Sequence, residues 1–154
     1  MTLHVLVTAV ATLVAGSVLG ASPSTAQVAP TPEDSYQSQI FTSTNDQRDA
    51  HDRPAFRRQD CVQRYAERQA RKMADAEEIF HQDLQRVLRD CDLRRAGENV
   101  AYGYESGRSV VNQGWMHSAG HRANILNPAF RLLGTGARMG EDNLWYAVQV
   151  FGRR

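Results

Sequence analysis

Two motif-rich segments decide the fold of this chain: GENVAYG at residues 97–103 and WMHSAGHRANILNP at residues 115–128. The first segment contains Glu98, one of the few acidic residues outside the charged helical segments. The second contains a Ser-x-x-His pattern formed by Ser118 and His121. A carboxylate, a hydroxyl and an imidazole are side chains that bind ligands and metals or carry acid-base chemistry. The two segments therefore predict where a functional site lies.

The same segments, followed by WYAVQVFG at residues 145–152, resemble the CAP superfamily of cysteine-rich secretory proteins, antigen 5 and pathogenesis-related class 1 proteins. The chain is most similar to short, secreted, SCP-like bacterial members, and the resemblance covers residues 40–154. It implies an α+β fold, namely a three-layer α-β-α sandwich with an antiparallel sheet and a C-terminal hairpin.

The length and charge of the chain limit its organisation and its partners. Its 154 residues suffice for one domain with a terminal extension. A net charge of +1 gives no long-range field that would attract nucleic acid or an anionic membrane. The arginine-rich runs 53–71 and 86–95 are interleaved with acidic residues, which is typical of solvated helix faces. We expect a monomer without a nucleic-acid partner.

The first 26 residues are predicted to be a secretory signal peptide. Residues 5–19 form an uncharged, mostly apolar run of 15 residues, which is short for a membrane span. The alternative is a retained membrane anchor, because the first four residues contain no Lys or Arg. Cleavage would leave a secreted, extracellular protein with no membrane span. It would consist of a flexible N-terminal segment, residues 27–37, and a CAP domain, residues 38–154.

The two cysteines, Cys61 and Cys91, are predicted to form a disulfide, because an even number of cysteines in an exported chain favours pairing. The alternative is two separate buried thiols. A bridge that closes a loop of this length would stabilise the fold by roughly 3–4 kcal/mol in the chain-entropy model.

Hydrophobic periodicity predicts helices in the first part of the chain and strands in the last part. The predicted helices are residues 36–51, one starting at the N-cap Asp60, one from Asp83 to Asp90, one from Ser106 to Ser118 that Gly120 ends, and a short turn at 121–126. The predicted strands are residues 132–139 and 144–151, whereas residues 94–97 are assigned to a turn. The helix after Asp60 has the clearest apolar stripe, formed by Val62, Tyr65, Ala66, Gln69, Ala70, Met73 and Ala74.

The resemblance implies a cleft lined by four residues. In the family, two histidines and two acidic residues converge in a large central cleft. By motif, His81 matches the first histidine, Glu98 the first acid and His121 the second histidine. The second acid normally lies three residues after the tryptophan, here Trp115, and this chain has Ser118 there. The missing carboxylate leaves any mechanism that depends on that acid in doubt.

A divalent cation is one candidate ligand of this cleft. Two neutral imidazoles, from His81 and His121, form half of a zinc site, and Zn²⁺ usually takes three protein ligands. Glu98 is either the third ligand or the acceptor that orients one imidazole. We expect Zn²⁺ or another divalent cation to bind weakly, with positions left to water. The alternative is a polar pocket in which the histidines hydrogen-bond Glu98 and Ser118 and whose ligand is something else.

The leading functional hypothesis is a non-catalytic binding protein that takes a small ligand or an extracellular protein partner. A second hypothesis is a secreted hydrolase acting on peptides or cell-wall material, with Ser118 as nucleophile, His121 as base and Glu98 as orienting acid. Against it, the chain has no Gly-x-Ser-x-Gly elbow, and a serine near a helix end more often caps backbone groups. A third is an envelope protein–protein interaction module with a vestigial cleft. The three residues therefore remain catalytic candidates only.

Other polar residues near the motifs have simpler interpretations. Arg122 is expected to pair with an acid, and Asn99 and Asn124 to hydrogen-bond the local backbone. His117 and His51 are interpreted as surface residues.

Overall fold

The structure is a computed structural model that describes Met1 and residues 29–154. The predicted signal peptide and the start of the predicted flexible segment lie outside the described residues, apart from Met1. Within the described part of the chain, no helix is long and apolar enough to cross a membrane.

Helices occupy the first part and the middle of the chain, and a sheet is completed at its C-terminal end. The elements are α1 (Pro32–Asp49), β1 (Arg57–Arg58), α2 (Asp60–Ala76), α3 (Leu84–Asp90), β2 (Arg95–Tyr102), α4 (Gly107–Ser109), a π-helical turn (Val110–Gly114), a 3-10 turn (Trp115–His117), α5 (Ala119–Leu126), β3 (Leu132–Met139) and β4 (Trp145–Arg153).

The four strands form one sheet in the order β1-β3-β4-β2. The hairpin β3–β4 lies at its centre, and β2 pairs antiparallel with β4 from Arg95 opposite Arg153 to Tyr102 opposite Tyr146. The predicted α+β fold with a C-terminal hairpin is confirmed. The predicted turn at 94–97 is wrong from Arg95 onward, because the pairing with β4 extends β2 to that residue.

Helices cover both faces of this sheet, so that two hydrophobic cores form. Along β4, Tyr146, Val148 and Val150 pack in the core that contains α2 and α3. The alternate residues Ala147 and Phe151 pack in the core that contains α1 and the segment from the π-helical turn to α5. This alternation along one strand produces the expected three-layer arrangement.

Helix α2 lies unusually close to the sheet because β3 has glycine at two facing positions. A Cβ atom on Gly134 would lie 2.3 Å from the carbonyl oxygen of Val62, and one on Gly136 would lie 2.2 Å from that of Ala66. The predicted apolar stripe of α2 is buried as expected. The predicted N-cap is wrong by one residue, since the side chain of Gln59 accepts the hydrogen bond from the Val62 amide at 2.8 Å.

A side chain hydrogen-bonds the backbone of one residue at the edge of β3 that β1 leaves uncovered. Strand β1 pairs only with Leu132 and Leu133, so β3 extends beyond it toward Met139. There the amide of Gln63 on α2 accepts from the Thr135 N–H at 3.0 Å and donates to the Thr135 carbonyl at 2.8 Å. The side chain thus takes the place of a neighbouring strand at this residue.

The N-terminal helix begins earlier than the sequence predicts. The side chain of Thr31 accepts from the Asp34 N–H, and the Asp34 carboxylate accepts from the Thr31 N–H, which forms a capping box ahead of Pro32. Residues from Pro32 onward are therefore helical, although they belong to the segment 27–37 that was expected to be flexible. Helix α3 is capped by Asp83 as predicted.

The predicted disulfide between Cys61 and Cys91 is present, with the Cα atoms 5.6 Å apart. It joins the first turn of α2 to the residue that caps the C-terminus of α3. The bridge therefore fixes both helices that flank the loop carrying His81.

Candidate functional site

The centre of the candidate site is a buried carboxylate bonded to an exposed histidine. Glu98 lies on β2 with 1% of its side chain exposed, and His81 lies in the loop between α2 and α3 with 62% exposed. Nδ1 of His81 is 2.7 Å from Oε1 of Glu98. The structure thus brings the first predicted histidine and the predicted acid into direct contact.

Gln82 supplies the other donors to this carboxylate. Its backbone N–H donates to Oε1 of Glu98 at 3.2 Å, and its side-chain amide donates to Oε2. A buried carboxylate requires such donors, because burial without them is strongly unfavourable. No sequence pattern indicates Gln82 as part of the site, since only the path of the loop after His81 brings its amide to Glu98.

These bonds determine which atom of His81 is available to a ligand. With Nδ1 held as the donor to Glu98, the lone pair of Nε2 is the free imidazole acceptor on an exposed ring. Both oxygens of Glu98 already accept hydrogen bonds from protein groups. The geometry therefore favours the orienting role of Glu98 over that of a metal ligand.

The second histidine lies on α5. Partial burial lowers the pKa of His121, and electrostatic repulsion between the two imidazoles when His81 is protonated lowers this pKa further. A lowered pKa keeps the imidazole neutral near pH 7, which is the form that binds metals and accepts hydrogen bonds.

A fully buried polar network fixes the position of α5 on the sheet. Asn99 of β2 donates to the His121 carbonyl at 3.1 Å and to the Gln149 side chain at 2.9 Å. Gln149 on β4 donates to the hydroxyl of Thr44 on α1 at 2.6 Å. The chain of bonds connects the His121 backbone with β2, with β4 and with α1, so Asn99 reaches well beyond the local backbone that was predicted as its partner.

Two further side chains bind the outer edge of β2. Asn124 of α5 donates to the Glu98 carbonyl at 3.2 Å and to the Asn99 side chain at 2.9 Å. Trp115, only 1% exposed, donates from its indole to the Val100 carbonyl at 3.2 Å. The conformation of the strand that carries Glu98 is thereby tied to α5 and to the 3-10 turn.

The segment before α5 is less regular than predicted. Instead of one helix from Ser106 to Ser118, it contains the short α4, the π-helical turn and the 3-10 turn. The break comes at Ser118, whose backbone is extended (φ −103°, ψ 122°), rather than at Gly120, which lies inside α5. Gly120 has no heavy atom within 4 Å of the position of a Cβ, so no contact requires a glycine there.

Ser118 begins α5 through its backbone and not through its hydroxyl. Its carbonyl accepts from the Arg122 N–H at 2.8 Å, and its side chain makes no cap hydrogen bond. The guanidinium of Arg122 donates to the Met116 carbonyl at 3.1 Å, so the predicted acid partner of Arg122 is wrong. The hydroxyl of Ser118 is half-buried and left for a ligand or water.

The hydrogen bonds do not assemble the residues of the hydrolase hypothesis. A catalytic chain would run from Glu98 to His121 to Ser118, but Glu98 bonds His81 and Gln82. Within residues 29–154, no hydrogen bond joins the Ser118 hydroxyl to the His121 ring.

The described residues also contain no group of three or more His, Cys, Asp or Glu side chains arranged to hold a metal ion. The three-ligand set of His81, Glu98 and His121 is therefore not formed. His51 is exposed and close to the Gln47 carbonyl, and His117 is exposed, so both are surface residues as predicted.

A cavity of about 520 Å³ opens beside the loop that carries His81. It is bounded by His81 and Gln82 on one side and by Arg68 and Lys72 of α2 on the other. Neither Ser118 nor His121 lines it. Of the four residues of the predicted cleft, only His81 borders this cavity.

The fold and these motifs agree with a known family. The model of the cysteine-rich secretory protein family, CAP, matches residues 41–151. The chain belongs to the CAP family. His81, Glu98, Ser118 and His121 all lie inside the matched region of this CAP domain.

Relatives of this CAP protein occur among bacteria. The uncharacterized protein YkwD of Bacillus subtilis is 29% identical over 116 residues, which are 70% of this chain and 44% of YkwD. An extracellular protein containing a SCP domain from Bacillus anthracis has a similar structure, with 29% identity and a TM-score of 0.69 over 83% of this chain and 45% of the other. This chain thus spans less than half the length of either relative.

An outer surface protein from Borrelia burgdorferi shares the fold at 23% identity, with a TM-score of 0.68 over 76% of this chain and 91% of that protein.

Proposed function

We propose that this CAP protein is a non-catalytic extracellular binding protein whose cleft, formed by His81, Glu98, Ser118 and His121, takes a divalent cation or a small ligand. The observation that carries this proposal is the buried Glu98, which holds Nδ1 of His81 and leaves Nε2 free on an exposed ring. The extracellular location rests on the expected signal peptide, and the Bacillus anthracis relative, described as extracellular, supports it.

The remaining donors of the cleft suit weak, reversible binding. His81 and His121 offer two imidazole rings, and the free hydroxyl of Ser118 adds a hydrogen-bonding group. A cation held by two imidazoles would keep open coordination positions for water or for the donor atoms of a second ligand. Glu98 acts through His81, since orienting partners of this kind tune the basicity and direction of the ligating ring.

Calorimetric titration of Zn²⁺ near neutral pH tests the cleft. We expect heat that saturates near one equivalent with the unmodified protein and that disappears in the variants His81→Ala and His121→Ala. Glu98→Gln should weaken binding about tenfold or more, because the orienting acceptor of His81 loses its charge.

The matched control is His117→Ala, which removes an exposed imidazole outside the cleft. Its titration should match that of the unmodified protein. Zn²⁺ binding that persists in the double variant His81→Ala/His121→Ala would exclude this cleft as the site.

A further inference from the structure

The fold collects arginines from four separate parts of the sequence at one end of the sheet. Strands β1, β2 and β3 begin at this end and β4 finishes there, because β4 runs antiparallel to both of its neighbours and β1 runs parallel to β3. The arginines at the strand ends, here called the arginine end, are Arg57, Arg94, Arg95, Arg131, Arg153 and Arg154. They are one third of the 18 Lys and Arg residues of the chain.

These charges are not neutralised by neighbouring acids. The ion pairs within residues 29–154 involve His81, Arg86 and Arg138, so no carboxylate lies within 4.0 Å of a guanidinium of the arginine end. All six side chains are exposed except that of Arg131, which is half-buried and donates to the backbone. A chain with a net charge of only +1 thus carries a strongly positive surface at one place.

One contact within the arginine end is unfavourable for folding. Arg95 on β2 lies directly opposite Arg153 on β4. Like charges at directly opposite positions of an antiparallel pair are destabilising. Neither side chain makes a hydrogen bond or ion pair with the described residues that would offset this repulsion. An anionic ligand that binds between the two guanidinium groups would offset it.

The shape and chemistry of the surface suit a ligand with several phosphate groups. A concavity of about 300 Å³ is lined by Arg57, Arg131, Arg153 and Arg154 together with Gln59 and Leu132. Guanidinium groups bind phosphate through paired hydrogen bonds, which an ammonium group cannot match in geometry. Four strands about 4.8 Å apart spread the arginines over roughly 15 Å, which exceeds the size of one phosphate.

The side chains around the arginine end indicate which class of polyanion fits this surface: nucleic acid, an anionic membrane or a phosphate polymer without bases. The exposed large apolar side chains lie elsewhere, at Ile79 and Phe80 beside the cleft and at Tyr102, Met139 and Leu144 at the opposite end of the sheet. Binding of single-stranded nucleic acid usually adds bases that stack on aromatic side chains, and amphipathic membrane-binding surfaces add apolar side chains that insert into the bilayer. Neither feature is present beside these arginines.

We propose that the arginine end binds a linear phosphate polymer that carries no bases, with several phosphates engaged at once. This surface uses none of the four cleft residues, so the proposal stands apart from the function proposed for the cleft.

Inorganic polyphosphate is the probe for this proposal, with binding to the full-length protein measured by calorimetry at low and at high salt. We expect binding that weakens steeply with salt, as for any site built on phosphate contacts. The variant Arg95→Gln/Arg153→Gln should bind at least about tenfold more weakly. The control variant Arg64→Gln/Arg71→Gln removes the same charge from exposed positions of α2 and should bind as the unmodified protein does.

Thermal unfolding separates a binding role from a structural one. Because Arg95 and Arg153 repel each other, their replacement should leave the melting temperature unchanged or raise it while polyphosphate binding falls. A lower melting temperature together with unchanged binding would overturn the proposal.

Three other results would also overturn it: equal weakening in the control variant, inorganic phosphate binding as tightly as the polymer, or tighter binding to single-stranded DNA or to phosphatidylglycerol vesicles.

Discussion

Partial burial lowers the pKa of His121, and this pKa can be measured directly. Nuclear magnetic resonance titration of the imidazole should give a pKa below the ordinary value of about 6.5. Burial is the larger cause, so His81→Ala should restore this pKa only in part. An unchanged pKa near 6.5 in the unmodified protein would contradict the partial burial of the ring.

The lowered pKa also predicts how stability depends on pH. Folded His121 binds a proton less readily than the same residue in the unfolded chain, so protonation favours unfolding. The free energy of unfolding should therefore decrease as the pH falls from about 6.5 to the folded pKa of His121. His121→Gln should remove this part of the pH dependence in chemical unfolding curves.

At the scale of residues, the sequence predicts which side chains come into contact more reliably than it predicts the hydrogen bonds that they form. The motifs alone identify His81 and Glu98, and the structure places them 2.7 Å apart. Gln82 is the other hydrogen-bonding partner of Glu98, and it is placed there by the path of a loop, which hydrophobic periodicity cannot predict. For the same reason the sequence leaves open whether Glu98 ligates or orients, whereas its bonds favour orientation.

At the scale of elements, the packing of α2 on β3 predicts that replacing glycine by alanine destabilises the protein at Gly134 but not at Gly120. Gly134→Ala places a Cβ atom 2.3 Å from the Val62 carbonyl oxygen, a backbone atom that cannot rotate away. We expect the free energy of unfolding to fall by about 2–3 kcal/mol, as for overpacking elsewhere. Chemical denaturation of the purified variant measures this change.

Gly120→Ala is the matched control for the loss of a glycine. This residue lies inside α5 with open space around it, so alanine should leave stability unchanged or raise it by up to about 1 kcal/mol. Equal destabilisation by both substitutions would show that the contact between α2 and β3 is not the cause.

The elements also show where sequence patterns fail. The stripe on α2 predicts its buried face because seven residues repeat at helical spacing. The segment before Ser118 has no such repeat. Its path through a π-helical turn and a 3-10 turn is set by tertiary contacts, including the bond from Trp115 to Val100, so a single regular helix was predicted there.

At the scale of the whole molecule, the disulfide should contribute a large part of the stability. Cys61→Ser/Cys91→Ser opens a bridge between residues 30 positions apart, and the expected loss is about 3–4 kcal/mol in the chain-entropy model. Chemical denaturation measures the loss, and mass spectrometry of the unreduced protein should recover the peptide pair. Two alkylatable thiols in that protein would contradict the bridge.

The arginine end is a feature of the whole molecule that the composition of the sequence does not predict. Runs of arginine interleaved with acids predict solvated helix faces, and a net charge of +1 predicts no long-range field that would attract nucleic acid or an anionic membrane. Strand pairing brings together arginines that are far apart in the sequence, such as Arg57 and Arg153, while their neighbouring acids form no ion pairs with them. Only the register of the strands reveals such an arrangement.

The side chains of Gln63, Asn124 and Trp115 limit how this protein can meet other chains. They occupy backbone groups of β3 and β2 that an incoming strand would otherwise use. Recognition by strand addition, and growth of the sheet into fibres, are thereby blocked at these positions. At these positions another chain can be contacted only through side chains, so such contacts can change by surface substitution without disturbing the sheet.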